Sequence, residues 1–301
     1  MPSKVIIYIK ALRAQFFTAV LIPCLLGTAI AYSDRGEFKS LYFTITLLSL
    51  LLAHGAINAF NDYYDHLNGT DENNTGRLSP FTGGSRIIQD SLLTPKEMKN
   101  FALILTALAT LGGIYLTYEI GYVVFLIALL GIMAGILYSS PFMFLSSLGL
   151  GEFFVFLSFG PLTLLGSYYV QAQNFSLSAL IASLPIGFLI ASVLYINQFP
   201  DYDADKEAGK TNLVVRLGKK TARYGIFILM AFTYLSIILG VIYGYLPFLS
   251  LIALFGAIFG GYSAFSLLFN YNNTPKLANP IKATIVAHFL TGLLLTVSYF
   301  L

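Results

Sequence analysis

Nine apolar runs, each near the roughly 20 residues a helix needs to cross about 30 Å of hydrocarbon, dominate this 301-residue chain. They fall at about 14–32, 40–61, 99–118, 121–139, 151–171, 178–198, 223–243, 247–269 and 281–300. Only 10% of the residues are charged and 57% are hydrophobic, at a mean hydropathy of +0.77, where an ordinary globular domain is about 25% charged. The expectation is an all-α polytopic membrane protein: one domain over 1–301, a nine-transmembrane-helix bundle around a central cavity. The first run follows Lys4, Lys10 and Arg13 with no small-residue cleavage site after it, so it reads as a retained helix and not a signal peptide. The lone Cys24 excludes an internal disulfide and a cysteine metal site. With no Trp, interfacial anchoring falls to Tyr, Lys and Arg.

Helix parity sorts the charges. Nine crossings put the N-terminus and the loops after the second, fourth, sixth and eighth helices on one face, and that face holds all of the 17 Lys and Arg except Arg35 and Lys39. This bias assigns the face to the cytoplasm and the C-terminus to the opposite side of an integral cell-membrane protein. The two longest loops, about 66–97 and 202–222, lie on the same face as cap loops; long loops in a compact protein are commonly functional.

Two polar stripes end the helices that lead into those loops. Asn58, Asp62 and Asp65 are spaced i, i+4, i+7, with Asn61 beside them, and Asn197, Asp201 and Asp205 are spaced i, i+4, i+8. Each set therefore follows one face of a continuing helix. Helix capping does not account for them, because a cap needs one residue and favours N-termini, whereas these stripes occupy C-terminal ends where the dipole disfavours negative charge. Carboxylates beside hydrocarbon cost several kcal/mol unless paired, hydrated or bound to a cation.

Hard oxygen donors without His or Cys suit Mg2+. That ion takes one or two carboxylates and completes its shell with water and substrate phosphates. Arg77, Arg86, Lys206, Lys210 and Arg216 are placed to hold outer phosphate oxygens, and Asn58, Asn61 and Asn197 to support them. The natural ligand is a diphosphate with a hydrophobic organic part.

Four ordered blocks carry a family resemblance. HGAINAFNDYYDHLNGTD (54–71), SPFTGGSRIIQDSLLTP (79–95), LYSSP with LGLGEFFVFLSFGP (137–161) and NQFPDYDADKEAGKTNLVVRLG (197–218) together resemble the UbiA-type intramembrane prenyltransferases, most nearly the 1,4-dihydroxy-2-naphthoate polyprenyltransferase branch of menaquinone synthesis. The resemblance implies a bundle open to lipid that uses Mg2+ to transfer a polyprenyl group from prenyl diphosphate to a small aromatic acceptor. The lipid bilayer is its other partner, and nothing points to nucleic acid. By the same resemblance Asn61, Asp62 and Asp65 match the first motif, Asp201 and Asp205 the second, Lys210 and Arg216 its basic tail, and Arg13 the start of helix one. The metal set is then Asp62, Asp65, Asp201 and Asp205. Departures are Ala14 for a common Pro, Gly69 at a third-carboxylate position with Asp71 two residues on, Ser91 for a common Gly, and Phe142, Met143 and Phe144 where a Lys or Arg is usual.

Tyr63, Tyr138 and Tyr195 are candidates for shielding an allylic cation in the substrate cavity. Glu152, at the start of a helix, complements the dipole and by the family block lines the site with Arg13. Asp65, Asp71, Asp201 and Asp205 form the catalytic set; the proton acceptor is open among Asp65, Asp71 and Asp203. Asp203, about 200° around the helix from Asp201, reads equally as a solvated charge beside Lys206. His54 and His288 read as hydrogen-bonded core residues and His66 as interfacial. The alternatives are geranylgeranyl transfer to a glyceryl phosphate in archaeal ether-lipid synthesis and, from another class, an ion-coupled secondary transporter.

Overall fold

The computed structural model describes residues 3–67, 69, 77–139 and 148–301, with the side chains at 138 and 139 set aside. Helices account for its framework, and no strand occurs among the described residues. In hydrocarbon a helix satisfies its backbone within its own segment, which suits runs this apolar.

Among the described residues seven helices are long and apolar enough to cross a membrane: α3 (Ser40–Leu67), α4 (Pro95–Ile120), α6 (Gly151–Ala172), α7 (Leu177–Glu207), α9 (Lys219–Ile242), α10 (Phe248–Asn270) and α11 (Thr274–Val297). A bent pair, Lys4–Phe16 and Thr18–Arg35, is long and apolar enough only when taken together; it turns by 58° and contains α1 (Lys4–Ala11) and α2 (Thr18–Arg35). The expected run at 121–139 is the shorter helix α5 (Tyr122–Ser139). The chain is an integral membrane protein, and its exposed apolar side chains, such as Leu111, Ile114, Ile136, Ile228, Phe265 and Phe269, face outward as a lipid-facing surface requires.

Local chemistry sets the helix ends. Thr94 and Glu97 exchange a capping box at the head of α4, with Pro95 in its first turn. Ser176 caps α7 through the Ala179 amide. The short α8 (Leu213–Leu217) is capped by Asn212, whose Oδ1 accepts from the Val215 amide at 3.0 Å. Just ahead of the first expected helix, which is observed as α2, Arg13 takes a left-handed conformation, φ 52°, and separates α1 from α2.

The core lies where α2, α6, α7, α9 and α11 pack, around Ile22, Leu26, Leu164, Ile186, Ile237 and Leu295, all fully buried. Small residues let the backbones meet. A Cβ on Gly160 of α6 would stand 2.8 Å from the Gly187 Cα of α7, and one on Gly187 would stand 2.8 Å from the Phe156 carbonyl oxygen. Five residues of α6, Ser158–Leu162, form a π-turn containing Pro161, and Thr163 Oγ1 donates to the Ser158 carbonyl at 2.7 Å across it. This wider turn lies beside the cavity described next.

Candidate active site

Both polar stripes open on one cavity of about 310 Å³, within the range of small-ligand sites. Asn58, Asn61 and Asp65 reach it from α3, and Asn197, Asp201 and Asp205 from α7. Its polar end is completed by Arg13, Lys210 and the segment Phe81–Gly84; the remaining wall is largely apolar, including Ile57, Val155, Phe159, Ile190, Val193 and Leu194.

An ion pair ties the stripes together. Lys210, three residues beyond α7, donates from Nζ to Asp65 Oδ1 on α3 at 2.7 Å, and its own amide donates to the Asp205 carbonyl at 2.8 Å. Asp205 is buried and accepts from Asn212 Nδ2 at 2.8 Å. The capping residue of α8 thus also holds a carboxylate of the site.

Asp62 departs from its place in the stripe. It is buried and flanks the cavity, its Oδ1 accepting from the Ser85 amide at 3.2 Å and lying 3.9 Å from Arg13 Nη1. At 100° per residue Asp62 lies about 40° to one side of Asn58 and Asn61 about 60° to the other. Arg13 and the loop capture the first, which leaves Asn61 on the cavity wall. Asn58 carries a second load: its Nδ2 donates to the Leu12 carbonyl at 2.9 Å, fixing α3 to the break before α2.

The loop after α3 folds back over this end. Gln15 Nε2 donates to the Pro80 carbonyl at 3.1 Å, and Ile87, Ile88 and Leu93 pack with Ile7, Ala11 and Met98. Gly83 and Gly84 follow each other at φ 73° and 65° and both line the cavity, so backbone without side chains is presented there.

Several expected site residues stand elsewhere. Tyr195 is a correction: it is buried, donates to the Ala222 carbonyl and packs on Phe199, because α7 turns that face toward α9. Tyr63 likewise packs on Tyr64 and under Lys99, beside α4. Aromatic rings on the cavity wall come instead from Phe16, Phe81, Phe154 and Phe159. Glu152 is buried behind the wall and accepts from Gln198 Nε2. Lys206 and Arg216 are exposed and not among the lining residues, Arg216 donating from Nε to the Thr211 carbonyl at 2.7 Å. Arg86 lies 3.8 Å from Asp90, and Arg77 is half-buried; neither lines the cavity. Asp203 is exposed, 3.5 Å from Lys219. Asp71, the Tyr138 side chain and Phe142 to Phe144 lie outside the described residues.

Two lining residues were read from sequence as ordinary core. His54 and His288 are buried, reach the cavity, and have no hydrogen-bond partner on either ring nitrogen. No sequence signal separates them from packed histidines, since a period gives a face and not its neighbours.

The donor set fits Mg2+. Among the described residues no three His, Cys, Asp or Glu side chains converge as a cage, and Mg2+ takes only one or two protein carboxylates. Asp62 Oδ2 and Asn197 Oδ1 are buried without a hydrogen-bond partner. Four carboxylates, Asp62, Asp65, Asp201 and Asp205, share this end with two cations, Arg13 and Lys210, so added positive charge is favourable in so apolar a setting.

Comparison with known proteins agrees with this architecture. Residues 20–293 match the UbiA prenyltransferase family. The chain is 26% identical over 299 residues to the 2-carboxy-1,4-naphthoquinone phytyltransferase of Synechocystis sp., covering 99% of this chain and 94% of that one. It is 32% identical over 227 residues to the 1,4-dihydroxy-2-naphthoate octaprenyltransferase of Escherichia coli, covering 73% and 71%. Among solved structures, a UbiA homolog from Archaeoglobus fulgidus bound to DMAPP and Mg2+ superposes with a TM-score of 0.69 over 96% of this chain and 99% of that one, at 18% identity, a likeness of fold.

Proposed function

Since the chain belongs to the UbiA prenyltransferase family, we propose that it transfers a polyprenyl group from prenyl diphosphate to a naphthoate-type aromatic acceptor of menaquinone synthesis, with Mg2+ at the paired aspartate stripes. The observation that carries this reading is the Lys210–Asp65 bond, 2.7 Å long, which joins the two stripes over a cavity whose other walls are largely apolar. Naphthoate- and naphthoquinone-prenylating relatives at 32% and 26% identity support the acceptor class.

The residues divide the work. Asp62, Asp65, Asn197, Asp201 and Asp205 supply the hard oxygens that would hold Mg2+, which when bound takes up charge on the departing diphosphate. Lys210 and Arg13 hold outer phosphate oxygens by charge-assisted bonds, and Gly83 and Gly84 let the loop backbone come close. Ile57, Val193, Leu194 and their neighbours seat the prenyl chain and keep water from the allylic carbon. Phe159, on the cavity wall, would turn its ring face to that carbon as positive charge grows there, in the part that sequence assigned to Tyr63, Tyr138 and Tyr195. The ring carbon of the acceptor then forms its bond to the prenyl carbon as the carbon–oxygen bond to diphosphate breaks. Asp65, Asp201 and Asp205 are the carboxylates in reach of a released proton.

In this reading the chain is one domain with nine crossings, the bent pair and α5 included, and its N-terminus and cap loops face the cytoplasm. A product assay tests the activity: purified protein, Mg2+, geranylgeranyl diphosphate and 1,4-dihydroxy-2-naphthoate, read by mass spectrometry. The expected result is a prenylated naphthalene product that disappears with EDTA. Product on glyceryl phosphate alone, with none on any aromatic acceptor, would overturn the acceptor.

A further inference from the structure

His54 and His288 approach the cavity from opposite ends of the sequence, on α3 and α11. His288 is fully buried and His54 is 8% exposed, yet neither ring forms a hydrogen bond within the protein. A buried polar group left without a partner is costly, so unmatched nitrogens on two imidazoles that line one cavity call for a ligand that carries polar atoms.

The surroundings narrow that ligand. Phe17 and Phe159 present T-shaped contacts to His54, with ring centroids 5.8 and 5.5 Å away at 85° and 70°. These rings flank the imidazole, so its surroundings within the protein are aromatic. A prenyl chain has only C–H bonds and cannot satisfy the imidazole nitrogens. A neutral imidazole has one donor and one acceptor nitrogen, the pattern complementary to a hydroxylated aromatic ring bearing a carboxylate. His54 also lies one turn, about 6 Å along the α3 axis, before Asn58, beside the polar end and deeper toward the apolar wall.

We infer that His54 and His288 form the polar seat of the acceptor, each hydrogen-bonding an oxygen substituent of its ring and so aiming the nucleophilic carbon at the prenyl diphosphate. This rests on the proposed reaction and adds to it two substrate-contacting residues outside the aspartate motifs. Both rings line the cavity that an acceptor would enter, which makes them determinants of which acceptor is held.

The test is direct binding, free of turnover. Calorimetric titration of 1,4-dihydroxy-2-naphthoate into the full-length detergent-solubilised protein, loaded with Mg2+ and inorganic pyrophosphate, gives an acceptor Kd; a prenyl thiolodiphosphate gives a donor Kd in a parallel series. His54→Phe and His288→Phe keep the ring packing and should each weaken acceptor binding about 5- to 30-fold, leaving the donor Kd within twofold. His54→Gln and His288→Gln, which retain a hydrogen-bonding tip, should recover part of the loss. Acceptor Kd values unchanged in both Phe variants, or equal losses for both ligands, would overturn the assignment and leave ordered water as the partner of these rings. A wild-type protein that binds the thiolodiphosphate but no naphthoate would instead remove the acceptor reading itself, and the seat with it. Thermal melting of each folded variant serves as the control for misfolding and decides whether a lost affinity counts.

Discussion

Lys210 concentrates the site's most consequential single contact, since its ammonium is largely withdrawn from solvent and held at 2.7 Å by a carboxylate on another helix. A charge-assisted bond of this kind is worth about 1.5–3 kcal/mol. Lys210→Ala should therefore raise the Kd for a prenyl thiolodiphosphate by about 10- to 100-fold in an Mg2+-loaded titration, whereas Lys206→Ala, exposed four residues earlier, should change it less than twofold. Asp62→Asn keeps the size of a side chain that accepts from Ser85 and flanks Arg13, but it removes a charge and one hard oxygen. Turnover should fall at least 100-fold and the Mg2+ concentration for half-maximal rate should rise; an unchanged magnesium dependence would take Asp62 out of the metal set. The stripes were legible because a helical period is written into the spacing of Asn197, Asp201 and Asp205, all of which reach the cavity. Asp62 against Asn61, and the burial of Tyr195 against Ala222, were not legible, because a difference of tens of degrees around a helix is decided by the partner across the gap.

At the scale of elements, the seam between α6 and α7 is built on absence of side chains. Adding a methyl at Gly187 places a Cβ 2.8 Å from the Phe156 carbonyl oxygen and against its ring, and overpacking of this kind costs about 1–3 kcal/mol. Gly187→Ala should lower the melting temperature in detergent and reduce activity together, because Phe159 and Asn197 are positioned by the same pair of helices. Loss of activity at full thermal stability would contradict that coupling. Hydropathy located the apolar body of each of these helices, since length and apolarity decide what can cross a bilayer, but not the polar turns by which α3 runs on to Leu67 and α7 to Glu207. It could not find the break at Arg13 or the π-turn at Ser158–Leu162: the first depends on backbone geometry that no apolar period encodes, and the second on how Pro161 is accommodated within an uninterrupted helix.

For the whole molecule, the charge bias predicts an orientation that a labelling experiment can read. Cys24 is fully buried, so single cysteines introduced elsewhere report with little background. Glu37→Cys should react with a membrane-impermeant maleimide on intact cells, and Lys220→Cys only after permeabilisation; the reverse pattern would invert the proposed topology. The bundle was legible at this scale because bilayer thickness constrains every span alike, while the closeness of α3 and α7 was an inference from parity that only folding could realise.

The Lys210–Asp65 bond has a consequence for how such a molecule takes up its donor. It fastens the first half of the chain to the second where the two polar helix ends meet, and the group that does the fastening is the one an arriving phosphate would seek. In the proposed reaction a donor phosphate would compete with Asp65 for the same ammonium, so loading would loosen the latch it comes to fill.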